Sequence, residues 1–207
     1  MPIERPVSVP GVVLAGGLSR RMGGGDKWRL PLGGRPVIDH VVTRLAPQVS
    51  RMAVNANTEP AALPVDAAWL ADSVDGRPGP LAGILTAMEW AAGEGAAHVV
   101  TVAGDTPFFP ADLVARLCAA AEATGAPIVL AATTTDGRRH PTFGLWSTAL
   151  AAGLRAALQD GTRKIVAWTD AHGAAETAFD GDPFFNLNTP EDFAAAEAMI
   201  ARGEVTA

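Results

Sequence analysis

Val12-Val13-Leu14-Ala15-Gly16-Gly17-Leu18-Ser19-Arg20-Arg21-Met22-Gly23-Gly24-Gly25-Asp26-Lys27 joins a short apolar run to a loop with five glycines and three cations. The apolar run reads as a buried strand. Its glycines let the backbone approach a ligand and turn N–H groups toward it, while Arg20, Arg21 and Lys27 supply positive charge; together they read as a polyphosphate cradle. It is not a Walker loop, because Lys27 lies between Asp26 and Trp28 where Gly-Lys-Ser/Thr would be needed, and the G-x-G-x-x-G dinucleotide spacing is absent. A surface loop with solvated charges is the plainer alternative. Ordering such a loop directly after a buried strand is costly, however, unless something is held there.

Working outward, Pro36 to Leu45 places Val37, Val41 and Leu45 at helical spacing behind a helix-starting proline, completing a strand, loop and helix. The alternation then repeats. Met52-Ala53-Val54 is a strand ending in Asn55, and Ala67 to Leu70 a strand ending in Asp72; Leu81, Ile84, Leu85 and Met88 form a helical stripe after Pro80. Val99 to Ala103 reads as a buried strand stopping at Gly104-Asp105, with a helix carrying Leu113, Val114 and Leu117 from near Pro110. This order predicts an α/β fold with a mostly parallel sheet and helices on both faces, because each parallel crossover needs a long connection. Ile128-Val129-Leu130 and Thr142 to Trp146 are further strands, and the absence of helical spacing in Thr133 to Pro141 between them predicts a mixed portion of the sheet. The last helix is announced by Thr189 as N-cap, Pro190 behind it and Asp192 three residues on, with Phe193, Ala196 and Ile200 inward. With no internal repeat or linker, residues 1–207 read as a single domain.

Composition bounds what such a domain can do. A hydrophobic fraction of 48% and a charged fraction of 18% suit an ordinary globular chain. The net charge of −6 provides no general field for nucleic acid or an anionic membrane. Cys118 is the sole cysteine, which excludes a disulfide within the chain and any multi-thiolate metal site; the expected setting is reducing and cytoplasmic. No apolar run reaches membrane-spanning length, and Arg20-Arg21 is followed by a glycine-rich polar stretch where an export signal would need an apolar one. The tryptophans at 69, 90 and 146 lie in apolar runs and are expected in the core, as is Cys118.

In open α/β sheets, ligands bind beyond the carboxyl ends of the strands. Gly16, Asn55, Asp72 and Asp105 all fall there, so four loops converge on one crevice. Singly each suits a turn or a cap; their recurrence at four strand ends favours a site.

The stretch Leu-Ala-Gly-Gly-x-Ser-x-Arg-Met-Gly followed by Asp-Lys resembles the opening signature of the molybdenum cofactor guanylyltransferases, the MobA family. Further family-like motifs follow in order: Val54-Asn55-Ala56-Asn57, Asp72 ahead of Pro78-Gly79-Pro80-Leu81-Ala82-Gly83, Gly104-Asp105-Thr106-Pro107, Arg139-His140-Pro141-Thr142 and Phe185 to Glu191. The first signature alone is shared more loosely with cytidylyl- and sugar-nucleotide transferases. The resemblance implies a Rossmann-like nucleotidyltransferase domain that joins GMP from GTP to the terminal phosphate of molybdopterin and releases pyrophosphate. It also implies that Leu14, Ala15, Gly16, Gly17, Lys27, Asn55, Asp72 and Asp105 bind GTP, with Asp105 holding Mg²⁺.

Physical chemistry assigns work to the same residues. The attacking phosphate oxygen is already anionic, so the difficulty is bringing two anions together rather than removing a proton. Lys27 and Arg21 would neutralise triphosphate charge beside Asp105; the family pattern fixes its arginine at the Arg21 position rather than at Arg20. Asn186 and Asn188 alternate along an extended segment and so share a face, and their amides match the donor and acceptor edges of a pterin; the alternative is support for the Thr189 cap. These amides are expected in the part of the crevice farther from the cradle. His140 could face the phosphorylated pterin or simply be solvated. Two rivals remain: a cytidylyltransferase of the same pterin, whose loop tends to read Leu-Ala-Ala-Gly, and a non-catalytic nucleotide- or cofactor-binding protein. Other cofactor-biosynthesis proteins and acceptor molybdoenzymes are the protein partners this reading implies.

Overall fold

A computed structural model describes residues 9–16, 27–58, 62–74 and 79–205. Strand β1 (Gly11–Leu14) is followed by a small hairpin, β2 (Pro31–Leu32) and β3 (Arg35–Pro36), then by helix α1 (Val37–Leu45). Strands β4 (Met52–Asn55) and β5 (Ala68–Leu70), helix α2 (Pro80–Gly93), strand β6 (His98–Ala103) and helix α3 (Leu113–Thr124) come next. The remainder is β7 (Ile128–Thr133), β8 (Arg139–Ser147), α4 (Ala151–Gln159), α5 (Ile165–Ala171), β9 (Ala175–Phe179) and α6 (Pro190–Ala201).

Seven strands form one sheet in the order β5-β4-β1-β6-β8-β7-β9. All neighbours are parallel except β8, which runs antiparallel to both β6 and β7, so the mixed portion lies where the sequence lacks a crossover helix. Successive residues point to opposite faces and both faces are covered: Val13, Val54 and Val102 pack with α1 and α3, while Val12, Ala53 and Val99 pack with α2, α4 and α5. Helix α2 is apolar around most of its circumference, as befits a helix wedged between the sheet and α4. Helix α6 carries the expected capping box, with Thr189 Oγ1 accepting from the Asp192 N–H at 3.2 Å and the Asp192 carboxylate accepting from the Thr189 N–H at 2.8 Å. Ala196 faces inward completely; Phe193 and Ile200 are half-buried against the same core.

Some expectations shift. Strand β8 begins at Arg139 rather than Thr142, α3 begins at Leu113, and the hairpin, α4, α5 and β9 had no sequence reading. Trp146 is buried, donating Nε1–H to Thr101 Oγ1 at 2.8 Å, but Trp69 is 40% exposed. It lies on β5, the sheet's edge, where it donates to the Ala56 carbonyl at 3.0 Å. Cys118 packs against the core, and burial pushes its thiol up to about 11. No helix among the described residues is long and apolar enough to cross a membrane.

Candidate active site

The chain leaves β1 for β4 and β5 on one side and returns to pair β6 on the other, which makes β1 and β6 the point where strand order reverses. A crevice opens there beyond the strand ends, as the topology requires. The three loops are held side by side by bonds that continue the ladder, Ala15 N–H to Asn55 O at 2.8 Å and Gly104 N–H to Leu14 O at 2.9 Å. Leu14, Ala15, Gly16, Lys27, Asn55, Asp72, Asp105 and Asn186 all line this crevice, which has a cavity volume of about 290 Å³. Gly17 and Arg21 lie outside the described residues.

Lys27 opens a single 3₁₀ turn whose next residue, Trp28, is 5% exposed and anchors it in the core. Its ammonium therefore reaches the crevice from a fixed base. Lys27 Nζ donates to Asn188 Oδ1 at 2.5 Å and stands 3.7 Å from Asp105 Oδ2. Burial raises the Asp105 carboxyl above its usual range, and the nearby Lys27 charge opposes that rise. A desolvated carboxylate beside one ammonium favours additional positive charge.

Asn55, at the end of β4, is 2% exposed and donates to Asp72 Oδ1 at 2.9 Å and to the Leu70 carbonyl at 3.2 Å. Helix α2 can pass over it only because residue 83 is glycine: a Cβ there would lie 2.5 Å from Asn55 Oδ1 and 3.0 Å from Leu14 Cδ2. The pair expected to read base or ribose is thus a connected unit, with the buried amide orienting the Asp72 carboxylate.

The Asn186–Asn188 segment supports the Thr189 cap and also reaches the crevice, which Asn186 lines. Leu187 is fully buried between the two asparagines, and its N–H donates to the Asp105 carbonyl at 2.9 Å, tying the segment to the β6 loop. Asn188 N–H donates to the Asp192 carboxylate at 2.8 Å, part of the α6 cap, while its side chain meets Lys27. The expected distance from the cradle side is therefore not observed for Asn188.

His140 is placed differently from its neighbours in the motif. Leu130 pairs with Gly144 but Ala131 with His140, so residues 141–143 form a bulge, with Pro141 unable to donate within it. Strict alternation fails across the bulge: Thr142 lines the crevice, whereas the His140 ring stacks on Phe184 at 4.3 Å and 29°. Its Nε2 is buried without a hydrogen-bond partner among the described residues, and burial lowers its pKa, with the Arg138 charge acting in the same direction. Arg139 turns to Asp170 at 2.6 Å and Glu176 at 2.5 Å, bracing β8 against α5 and β9. Trp28, Gly79, Pro80 and Thr142 also line the crevice without having been singled out; the two proline-flanked motifs that contain Gly79 and Thr142 were the available signal.

Residues 11–175 match the MobA-like NTP transferase domain. The chain is 48% identical over 205 residues to a molybdenum cofactor guanylyltransferase of Mesorhizobium japonicum, covering 93% of this chain and 96% of that protein. It belongs to the molybdenum cofactor guanylyltransferase family. Among solved structures, the molybdopterin-guanine dinucleotide biosynthesis protein A of Archaeoglobus fulgidus superposes with a TM-score of 0.77 at 25% identity, covering 94% of this chain and 100% of that one. A Mycobacterium tuberculosis H37Rv protein in complex with manganese shares the fold, with a TM-score of 0.62 at 16% identity over 93% of this chain and 99% of that one. The α/β nucleotidyltransferase architecture expected from the sequence is thus the family's own.

Proposed function

We propose that this chain transfers GMP from GTP to the terminal phosphate of molybdopterin, forming the guanine dinucleotide cofactor and releasing pyrophosphate. The observation that carries the reading is Lys27, which stands in one crevice between the Asp105 carboxylate and Asn188. A phosphate oxygen of the pterin attacks the α-phosphorus of GTP; the bond to the β-phosphate breaks and its electron pair leaves with pyrophosphate. No general base is needed, since the nucleophile is already an anion, and catalysis consists of positioning and charge compensation.

Lys27 offsets triphosphate charge, with Arg21 from the cradle as its partner in that task. The glycine-rich sequence after β1 suits backbone N–H groups to the phosphates. Asn55 and Asp72 receive base or ribose. Asp105 suits Mg²⁺: it is a hard oxygen donor lining the crevice, and such an ion takes one or two carboxylates and completes its shell with phosphate and water. Bound there, the ion would stabilise charge developing on the phosphates. Asn186 and Asn188 meet the pterin; His140 supports their segment from behind through its stack on Phe184. This chemistry fits a reducing, cytoplasmic enzyme that exchanges substrates with other cofactor-biosynthesis proteins and acceptor molybdoenzymes.

Following pyrophosphate release with GTP or CTP, Mg²⁺ and molybdopterin tests the reading. A clear kcat/KM preference for GTP is expected. Equal values for the two nucleotides would remove the guanylyl assignment while sparing the fold, and binding without pyrophosphate would leave a non-catalytic protein. Asn188→Ala is expected to raise the KM for molybdopterin several-fold, a neutral hydrogen bond being worth about 0.5–1.5 kcal/mol. Because Asn188 also holds Lys27, the GTP Kd should shift with it. A change confined to GTP would place the amide at the nucleotide alone.

A further inference from the structure

Asp72 is followed by Ser73, whose three polar groups are all engaged from behind the crevice. Its N–H donates to Thr86 Oγ1 at 2.9 Å, its carbonyl accepts from Arg155 Nη1 at 3.3 Å, and its hydroxyl oxygen accepts from Arg155 Nη2 at 3.2 Å. Arg155, on α4, is itself held by Glu89 of α2, whose Oε1 accepts from Nε at 2.9 Å and Nη2 at 2.6 Å. Thr86 is 5% exposed, a polar side chain on an otherwise apolar buried helix surface, and its hydroxyl gives the Ser73 N–H its acceptor. Asn55 fixes the Asp72 carboxylate from the front at 2.9 Å. Ser73 is therefore held from α2 and α4, and the Asp72 carboxylate from β4.

We propose that Thr86 and Arg155 are positioning residues of the nucleotide site: they set the Asp72 carboxylate at the position where it accepts from the hydroxyl or N–H donors of a bound nucleotide. This rests on the reading of Asp72 as a nucleotide ligand. Neither residue lines the crevice, and both act through Ser73. A carboxylate aimed by a two-sided clamp loses little freedom when ligand arrives, so loosening the clamp weakens binding without removing any contact.

The test is calorimetric titration of the full chain with GTP and Mg²⁺, alongside thermal melting. Thr86→Val keeps the shape and removes the acceptor; it should raise the GTP Kd about threefold to tenfold, the range expected for one hydrogen bond. Thr86→Ser should restore affinity. Arg155→Gln, at a half-exposed position that tolerates change, should raise the Kd in the same range and keeps the test decisive should Thr86→Val fail to fold. In an Asp72→Ala background both substitutions should lose their effect on Kd. Lowered melting temperature with unchanged Kd would make the clamp purely structural and overturn the proposal, as would effects that simply add to that of Asp72→Ala. An Asp72→Ala protein with wild-type GTP affinity would instead overturn the nucleotide role of Asp72 itself.

Discussion

Asp105→Ala is expected to abolish Mg²⁺-dependent pyrophosphate release while leaving a folded, cooperatively melting protein. The fold loses little because the anchoring contact of this loop is made by backbone, the Asp105 carbonyl accepting from Leu187 N–H. Among the described residues the carboxylate meets Lys27 at 3.7 Å, the Thr106 hydroxyl at 3.5 Å and a backbone N–H of its own loop, while burial works against its charge. Removing a desolvated charge can even raise the melting temperature. Catalysis should lose far more: deleting one organised electrostatic contact costs ~10²–10³-fold in rate, and losing the ion it holds should cost at least as much. Near-normal turnover in a well-folded Asp105→Ala protein would place the metal elsewhere.

Lys27→Ala should have the next largest effect. Lys27 is the one cation among the described residues that line the crevice. Hydrogen bonds to charged groups are worth about 1.5–3 kcal/mol, so GTP affinity should fall by roughly 10- to 100-fold, with slower transfer in addition. The substitution also strips Asp105 of the charge that restrains its pKa. Since the folded-state pKa is already raised, the carboxyl would rise further, and folded-state stability that is fully present below the unfolded carboxyl range would be lost as pH climbs through the higher folded value. Lys27→Ala should therefore melt closest to wild type in acid and farthest from it near neutrality, and its activity should fail at a higher pH on the acid side. Equal melting offsets at all pH values would show that the two groups are not coupled. In the cradle, Arg21→Ala should weaken GTP binding more than Arg20→Ala; the opposite order would mean that the loop is out of register with the family pattern.

In the parallel half, β1, β4 and β6 were legible because each is a compact apolar run ending near a polar or glycine residue, the pattern demanded by burial on both faces. The same rule delivered Asp105 and Asn55 to the crevice without knowledge of a ligand. The second half was harder for identifiable reasons. Strand β9 reads Ala-Glu-Thr-Ala-Phe, an edge strand with one polar side and little apolar signal. The β2–β3 hairpin turns on Gly33 and Gly34, both at positive φ, a two-residue signal submerged beneath the longer glycine-rich cradle. His140 fell to the β8 bulge, since sequence alternation cannot reveal where a register shifts. The Lys27–Asn188 contact spans 161 positions and no local pattern could announce it.

The order of the strands also governs how this chain can be made. Strand β6 takes one neighbour from behind it in the sequence and the other, β8, from far ahead: His98 lies opposite Ser147, and Thr101 opposite Gly144. On the ribosome, β1, β4, β5 and β6 can assemble, and the three crevice loops with them, while the free edge of β6 still offers unpaired backbone over a buried stretch of valines. That edge stays open until some forty further residues have emerged, a delay of seconds at ~5–20 residues per second. Until β8 is available, the parallel half of the sheet can offer only an open, adhesive edge on β6.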